Sequence, residues 1–132
     1  ENLVELQFDE LKENIQKWIV SKRAFLNTTF NQYGKIKAKA FPGRSAILVK
    51  MLDIDENIIS AVYEKPGSLK IGHYVPGTRI PILSDDDFLS SGGLDKPLLN
   101  LAWHISKEIR GYLISSNYTG VITDILDNDD FS

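Results

Sequence analysis

Cysteine is missing altogether from the 132 residues, which excludes a disulfide framework, a thiolate metal site and a cysteine nucleophile. The cytosol is the compartment this absence favours. Histidine is nearly missing too. His73 and His104 are the only two, and neither sits in an HExxH or comparable spacing, so no metal site is expected. No apolar run approaches the ~20 residues needed to span a bilayer, nor does the start have the basic-then-apolar order of a secretory signal. A soluble protein without a membrane partner is therefore expected. Basic residues are not in excess either. With 15 Lys and Arg against 18 Asp and Glu, the net charge is -3, and nucleic acid, which is held by clustered cations, is not an expected partner. There is no GxGxxG run, no Walker loop and no GxSxG elbow.

What is present describes a folded chain. A hydrophobic content of 42% with 25% charge is that of a globular protein rather than a disordered tail, and the length suits one core and not two. The chain opens on Glu1 rather than Met, which suggests that it begins inside a longer protein or that its start was processed.

Between Leu6 and Phe30 the apolar residues Phe8, Leu11, Ile15, Trp18, Ile19, Phe25 and Leu26 recur mostly at three- and four-residue steps, predicting a long amphipathic helix that Gly34 ends. Lys35 to Phe41 alternates charged and apolar residues, Pro42 and Gly43 break it, and Ala46 to Leu52 takes up helical spacing. Ile58 to Val62 is a second strand, ending at Tyr63-Glu64-Lys65-Pro66-Gly67. From Pro66 to Pro81 the breakers predict a long structured loop, with an extended piece around Pro81 confined to a sheet edge. Ser84 is placed to cap a short helix through Asp85, Asp86, Asp87 and Phe88. Pro97 to Ala102 reads as a strand, Ile105, Ile109, Tyr112 and Leu113 as a helix stripe, and Val121-Ile122 as a last strand. Alternating strands and helices predict an α/β fold: a Rossmann-like, open, mainly parallel sheet flanked by helices, with a long N-terminal helix. The expected organisation is a lead-in helix over 1–33, one domain over 34–126 and an acidic tail over 127–132.

In such sheets ligands settle beyond the carboxyl ends of the strands. Pro42, Gly43, Arg44 and Ser45 form the first strand-to-helix turn, where Gly lets backbone approach closely, Ser can cap and Arg offers a fork for phosphate; an ordinary turn would look similar. Glu64 ends the second strand, where an acid can meet a ribose hydroxyl, or else pair with Lys65 in solvent. In the long loop His73, Tyr74 and Thr78 could line a site, the two rings stacking on a base or sugar, or simply pack the loop. Trp103 and His104 follow the later strand, with Glu108 one turn on; His104 is either a general base or a hydrogen-bonded structural residue. Lys22 and Arg23 read as a solvated helix face, and so do Asp85, Asp86 and Asp87.

The order Pro42-Gly43-Arg44-Ser45, Tyr63-Glu64-Lys65-Pro66, Lys70 to Ile82 and Ala102 to Ile109 resembles the C-terminal domain of bacterial sugar-nucleotide C-methyltransferases. The most specific piece is Lys-x-Gly-x-x-x-Pro-Gly-Thr-x-Ile-Pro-Ile, present from Lys70 to Ile82. A later Trp-Asn-x-x-x-Glu-Ile pattern is kept as Trp103, Glu108 and Ile109, with His104 in place of Asn. The family's Gly-Ala-Pro-Ala-Lys-Gly turn stands here as Ala40-Phe41-Pro42-Gly43-Arg44-Ser45, and Glu64 replaces a frequent Asp. The resemblance implies a domain that holds a nucleotide-linked deoxysugar. S-adenosylmethionine and the principal catalytic residues would belong to another domain or subunit, and the family's cysteine-bound zinc to a third. No cofactor is then expected on this chain, no catalytic residue is assigned to it, and alone it should be inactive.

Three readings follow. The first is substrate binding in service of methyl transfer to the carbon beside a sugar ketone, with Arg44 on the diphosphate and Glu64 near a hydroxyl. The second is a nucleotide- or NAD(P)-binding domain of an oxidoreductase, against which the missing GxGxxG counts. The third is an assembly module without ligand, whose mark would be a persistent homo-oligomer.

Overall fold

In the computed structural model, which describes residues 2–127, helix α1 (Asn2–Tyr33) precedes β1 (Ile36–Lys39). A 3-10 turn at Gly43–Ser45 then opens α2 (Ala46–Met51), followed by β2 (Ile59–Glu64). Next come β3 (Ile82–Ser84), α3 (Asp85–Ser90) and β4 (Leu98–Asn100). A second 3-10 turn at Trp103–Ile105, α4 (Ser106–Ser115) and β5 (Ile122–Asp124) end the described chain. The acidic tail expected over 127–132 lies, from residue 128, outside the described residues. No described helix is long and apolar enough to cross a membrane.

The sheet has five strands in the order β3-β2-β1-β4-β5, every pair parallel. The expected Rossmann-like α/β fold is what forms. The chain leaves β1 toward β2 and β3, then returns across β1 to β4 and β5. The reversal opens a crevice beyond the carboxyl ends of β1 and β4, where parallel sheets place their ligands.

Each face of the sheet carries its own core. Ile36, Ala38, Ile59, Val62 and Leu99 meet α1, α2 and the loop before β3 on one side, while Ala61, Tyr63 and Leu98 meet Phe88 of α3 and Ile109 and Leu113 of α4 on the other. The apolar stripe of α1 engages the sheet from Trp18 onward, with Trp18 and Leu26 fully buried. Leu11 departs from expectation at 48% exposure, and the side chain of Phe8 lies outside those described.

Two charged groups expected in solvent are instead structural. Lys22 is buried and its Nζ donates to the Asp124 carbonyl at 3.0 Å, while Arg23 donates to the carbonyls of Leu52 (2.9 Å) and Asp53 (3.2 Å). Long cationic stems can cover apolar surface while their heads reach backbone acceptors. Arg23 thereby caps the carboxyl end of α2, where a cation complements the helix dipole.

Asp85 too departs from the solvated role expected of it. Asp86 and Asp87 are exposed, but Asp85 is 1% exposed and both its oxygens accept from Lys39 Nζ at 2.8 Å. Lys39 sits on the central strand, whose two faces are covered, so its ammonium has to find a partner inside. Lys37, on the same face, donates to Ser91 Oγ (2.8 Å) and the Gly92 carbonyl (3.0 Å), its pKa lowered by burial and by Lys96 nearby. The two strand lysines thus brace the two ends of α3. Ser84 caps that helix as expected, accepting from the Asp86 amide at 3.2 Å.

The loop between β2 and β3 explains the Lys70–Ile82 motif as architecture. Tyr74 bridges Pro81 antiparallel, the amides of Gly72 and Ile82 bond across to Ile82 and His73 carbonyls, and Val75 bonds Ile80. The loop therefore folds back along the edge strand. Gly72 and Gly77 have φ of 93° and 79°, which only glycine adopts without strain, and Val75, Ile80 and Ile82 enter the core.

Ala40, immediately after β1, has φ 63°, a left-handed conformation that costs an L-residue roughly 1–2 kcal/mol. Ala40→Gly should therefore raise stability by about 0.5–1 kcal/mol, after allowing for the extra freedom glycine brings to the unfolded chain. Urea denaturation reads this directly, and a lower midpoint for the variant would contradict the strain argument.

Candidate functional site

Beyond the carboxyl ends of β1 and β2 lies a cleft of about 360 Å³. Lys39 and Ala40 from β1, Glu64, Lys65, Pro66 and Ser68 from β2 and its loop, and Ile105, Glu108, Ile109 and Tyr112 from the α4 side line it. It is on the α3/α4 face and adjoins the point where the chain reverses direction in the sheet.

Glu64 is the polar anchor of one wall. Its Oε2 accepts from the Phe41 amide at 2.9 Å and its Oε1 from Ser68 Oγ at 3.1 Å. Lys70 Nζ donates to the Phe41 carbonyl, so both backbone polar groups of Phe41 are held, and the left-handed turn at Ala40 is what aims the amide at Glu64. The alternative pairing of Glu64 with Lys65 does not form among the described residues. Each carboxylate oxygen of Glu64 retains acceptor capacity, since one such oxygen can take two bonds.

On the opposite wall Tyr112 donates from its hydroxyl to Asp85 Oδ2 at 2.9 Å. Burial first, and then the Asp85 hydrogen bond and charge, push this phenol up to about 12, so it remains a donor at neutral pH. Lys39, Asp85 and Tyr112 form a closed set that joins β1, α3 and α4 beneath the cleft.

The turn after β1 is held to the end of β4. Ser45 is fully buried and donates its hydroxyl to the Leu101 carbonyl. Asn100, also fully buried, accepts from the Ala102 amide at 3.0 Å and donates to Asp124 Oδ1 at 2.9 Å. Asp124 further accepts from Ser106 Oγ (2.8 Å) and Arg110 (3.3 Å). This network fixes where α4 starts and hence where Ile105 and Glu108 enter the cleft.

Of the residues singled out by sequence as binding a ligand, only Glu64 lines this cleft; the others lie on the turn after β1, at the β3 edge and at the start of the turn into α4. Pro42, Gly43 and Arg44 continue the turn from Ala40, with Gly43 and Arg44 exposed. Arg44 makes no ion pair among the described residues. Trp103 packs against the α1/α2 core, its Nε1 buried without a hydrogen-bond partner among the described residues. His104 is exposed and meets Trp103 edge-on, centroids 5.7 Å apart. His73, Tyr74 and Thr78 are at the β3 edge, where Thr78 Oγ1 donates to Val75 (2.8 Å) and accepts from the Ile80 amide (3.0 Å), closing the Pro-Gly-Thr turn. Lys39, Lys65, Ser68, Ile105 and Tyr112 also line the cleft, and the sequence does not mark them as candidates. A lysine in an alternating central strand was the one signal that could have pointed to Lys39, because a sheet covered on both faces leaves its ammonium no water. Among the described residues no three His, Asp or Glu gather as metal ligands.

A family model described as the C-methyltransferase C-terminal domain matches residues 4–122. No curated protein matches the chain.

Proposed function

Because the chain belongs to the C-methyltransferase C-terminal domain family, we propose that it binds a nucleotide-linked deoxysugar in the cleft beyond β1 and β2, in service of a methyl transfer carried out elsewhere. The observation that carries this reading is the position of Glu64. Its carboxylate ends β2, lines a cleft next to the reversal point of the sheet, and keeps lone pairs for a hydroxyl. Arg44, exposed on the turn that leads out of β1, supplies a guanidinium suited to a diphosphate.

The Phe41 amide, on the turn above β1, is already bonded to Glu64, which leaves the phosphate to side-chain donors such as Arg44. The methyl donor, S-adenosylmethionine, belongs in this reading to a separate methyltransferase domain or subunit, which is the partner this domain would face. The reaction served is loss of the proton beside a sugar ketone followed by methyl transfer to that carbon. The chain's own contribution is to bind and orient the sugar nucleotide.

Calorimetric titration with dTDP- and GDP-linked deoxysugars tests the reading, with NAD and S-adenosylmethionine as controls. Arg44→Ala and Glu64→Gln should each weaken binding roughly tenfold, the worth of one charge-assisted hydrogen bond. Sugar-nucleotide binding that both variants leave unchanged, or binding of NAD alone, would overturn it.

A further inference from the structure

Two ammonium groups lie near the ring of Tyr112. Nζ of Lys39 is 5.2 Å from its centroid and Nζ of Lys65 is 5.6 Å from it. They differ in what holds them. Lys39 is buried and bonded to both oxygens of Asp85, so it stays where it is. Lys65 is exposed, and the ring is the one partner of its ammonium among the described residues, a contact that is weak when solvated.

The ring itself is immobilised. Its hydroxyl donates to Asp85, which Lys39 holds in turn, and Ile105, Ile109 and Pro66 complete the surrounding apolar wall. The outcome is a fixed aromatic plate in an open cleft, covered by a cation that can leave. Two carboxylates, Glu64 and Glu108, stand in the same cleft and can accept from ribose hydroxyls and base N–H groups.

We infer that Tyr112 is the stacking platform for the nucleobase, and that Lys65, displaced from the ring by the base, moves to the neighbouring phosphate. This deepens the sugar-nucleotide reading and rests on it. A base is favoured over the sugar as the stacked group because both faces of a base are flat and apolar, matching the ring and the Ile and Pro side chains beside it. Lys65 then acts twice: it keeps the plate covered when the cleft is empty and neutralises a phosphate when it is filled.

The test uses dTDP and GDP as base-bearing probes and glucose 1-phosphate as the probe without a base. Tyr112→Leu should weaken the nucleoside diphosphates roughly ten- to a hundredfold, the worth of one base–aromatic stack, and leave the sugar phosphate unchanged. Tyr112→Phe, which keeps the ring but loses the hydroxyl that anchors it, should weaken the nucleoside diphosphates less than Tyr112→Leu does. Lys65→Ala, at an exposed position, should weaken both classes and flatten the salt dependence. In carbon-13 spectra the Lys65 side-chain methylenes should lose their ring-current shift when nucleoside diphosphate saturates the chain. That readout decides the matter even if Tyr112→Leu fails to fold. Unchanged Lys65 shifts at saturation, or equal binding by parent and folded Tyr112→Leu, would overturn the stacking platform while leaving the sugar-nucleotide reading in place. If no sugar nucleotide or nucleoside diphosphate binds the parent chain, both fall together.

Discussion

Asp85→Ala lowers the stability of the domain by about 3–5 kcal/mol, the usual consequence of leaving one member of a buried ion pair unpaired. Lys39 would keep a 3.4 Å contact to the Tyr63 carbonyl and its approach to the Tyr112 ring, but no carboxylate, and Tyr112 would lose its acceptor. Lys39→Met should cost a similar amount, because the Asp85 carboxylate is then buried with the Tyr112 hydroxyl alone. The double variant Lys39→Met/Asp85→Leu removes both charges and should recover most of the loss, since apolar side chains can replace a buried pair at little cost. Urea denaturation of the four proteins compares the loss in each single variant with the recovery in the double one. Single variants within about 1 kcal/mol of the parent would be the range of a surface pair and would mean that the pair is not buried as described.

Gly120→Ala is expected to destabilise by about 2–3 kcal/mol, at the upper end of overpacking costs. A Cβ at Gly120 would collide with the Lys96 carbonyl and lie 2.5 Å from the Tyr118 hydroxyl and 2.8 Å from its Cζ. None of these atoms can step aside easily. Tyr118 is 5% exposed and donates its hydroxyl to that same Lys96 carbonyl, and Gly120 itself bonds the Leu94 carbonyl at 3.1 Å. The change would push β5 away from β4 at its start. Gly111 on α4 gives a control: a methyl group added there would meet nothing within 4 Å, and its φ is not positive. Gly111→Ala should therefore be neutral or stabilising by up to about 1 kcal/mol. Equal thermal midpoints for Gly120→Ala and the parent would refute the close packing at this corner.

The parts of the fold written in local chemistry are legible in the sequence. Ser84 followed by three acids specifies a capped helix within four residues, and Pro81 confines its segment to an edge wherever the sheet forms. The parallel order follows from the helices between successive strands, save for β2 and β3, which are parallel across a loop without a helix. What cannot be read locally are the partners of charges. Lys39 and Asp85 are 46 positions apart; the strand position of Lys39 points to burial, but nothing local names Asp85, which alone has the look of a solvated group, as its partner. Lys22 and Arg23 resemble an exposed helix face because their acceptors are backbone carbonyls at the ends of distant elements, invisible to any pattern of side chains.

The candidate site is legible to a similar depth. Glu64 can be placed because the end of a second strand is a defined position in a parallel sheet. Tyr112 and Ile105 cannot, since their spacing reads equally well as the buried stripe of α4. The Lys70–Ile82 motif shows the reverse case. Its distinctive residues invite a ligand, and two of them also have an architectural part that the motif alone does not reveal: Lys70 tethers the loop to Phe41 and Thr78 closes a turn.

We propose that a sugar nucleotide occupies the cleft beyond β1 and β2. Backbone amide shifts recorded during titration with a dTDP-linked deoxysugar test it most directly, because they locate the ligand and register its binding at once. Saturable changes concentrated at Ala40 to Ser45, Glu64 to Ser68 and Ile105 to Tyr112 are expected. Changes confined to Tyr74 to Thr78 at the β3 edge, or none at saturating ligand, would contradict it.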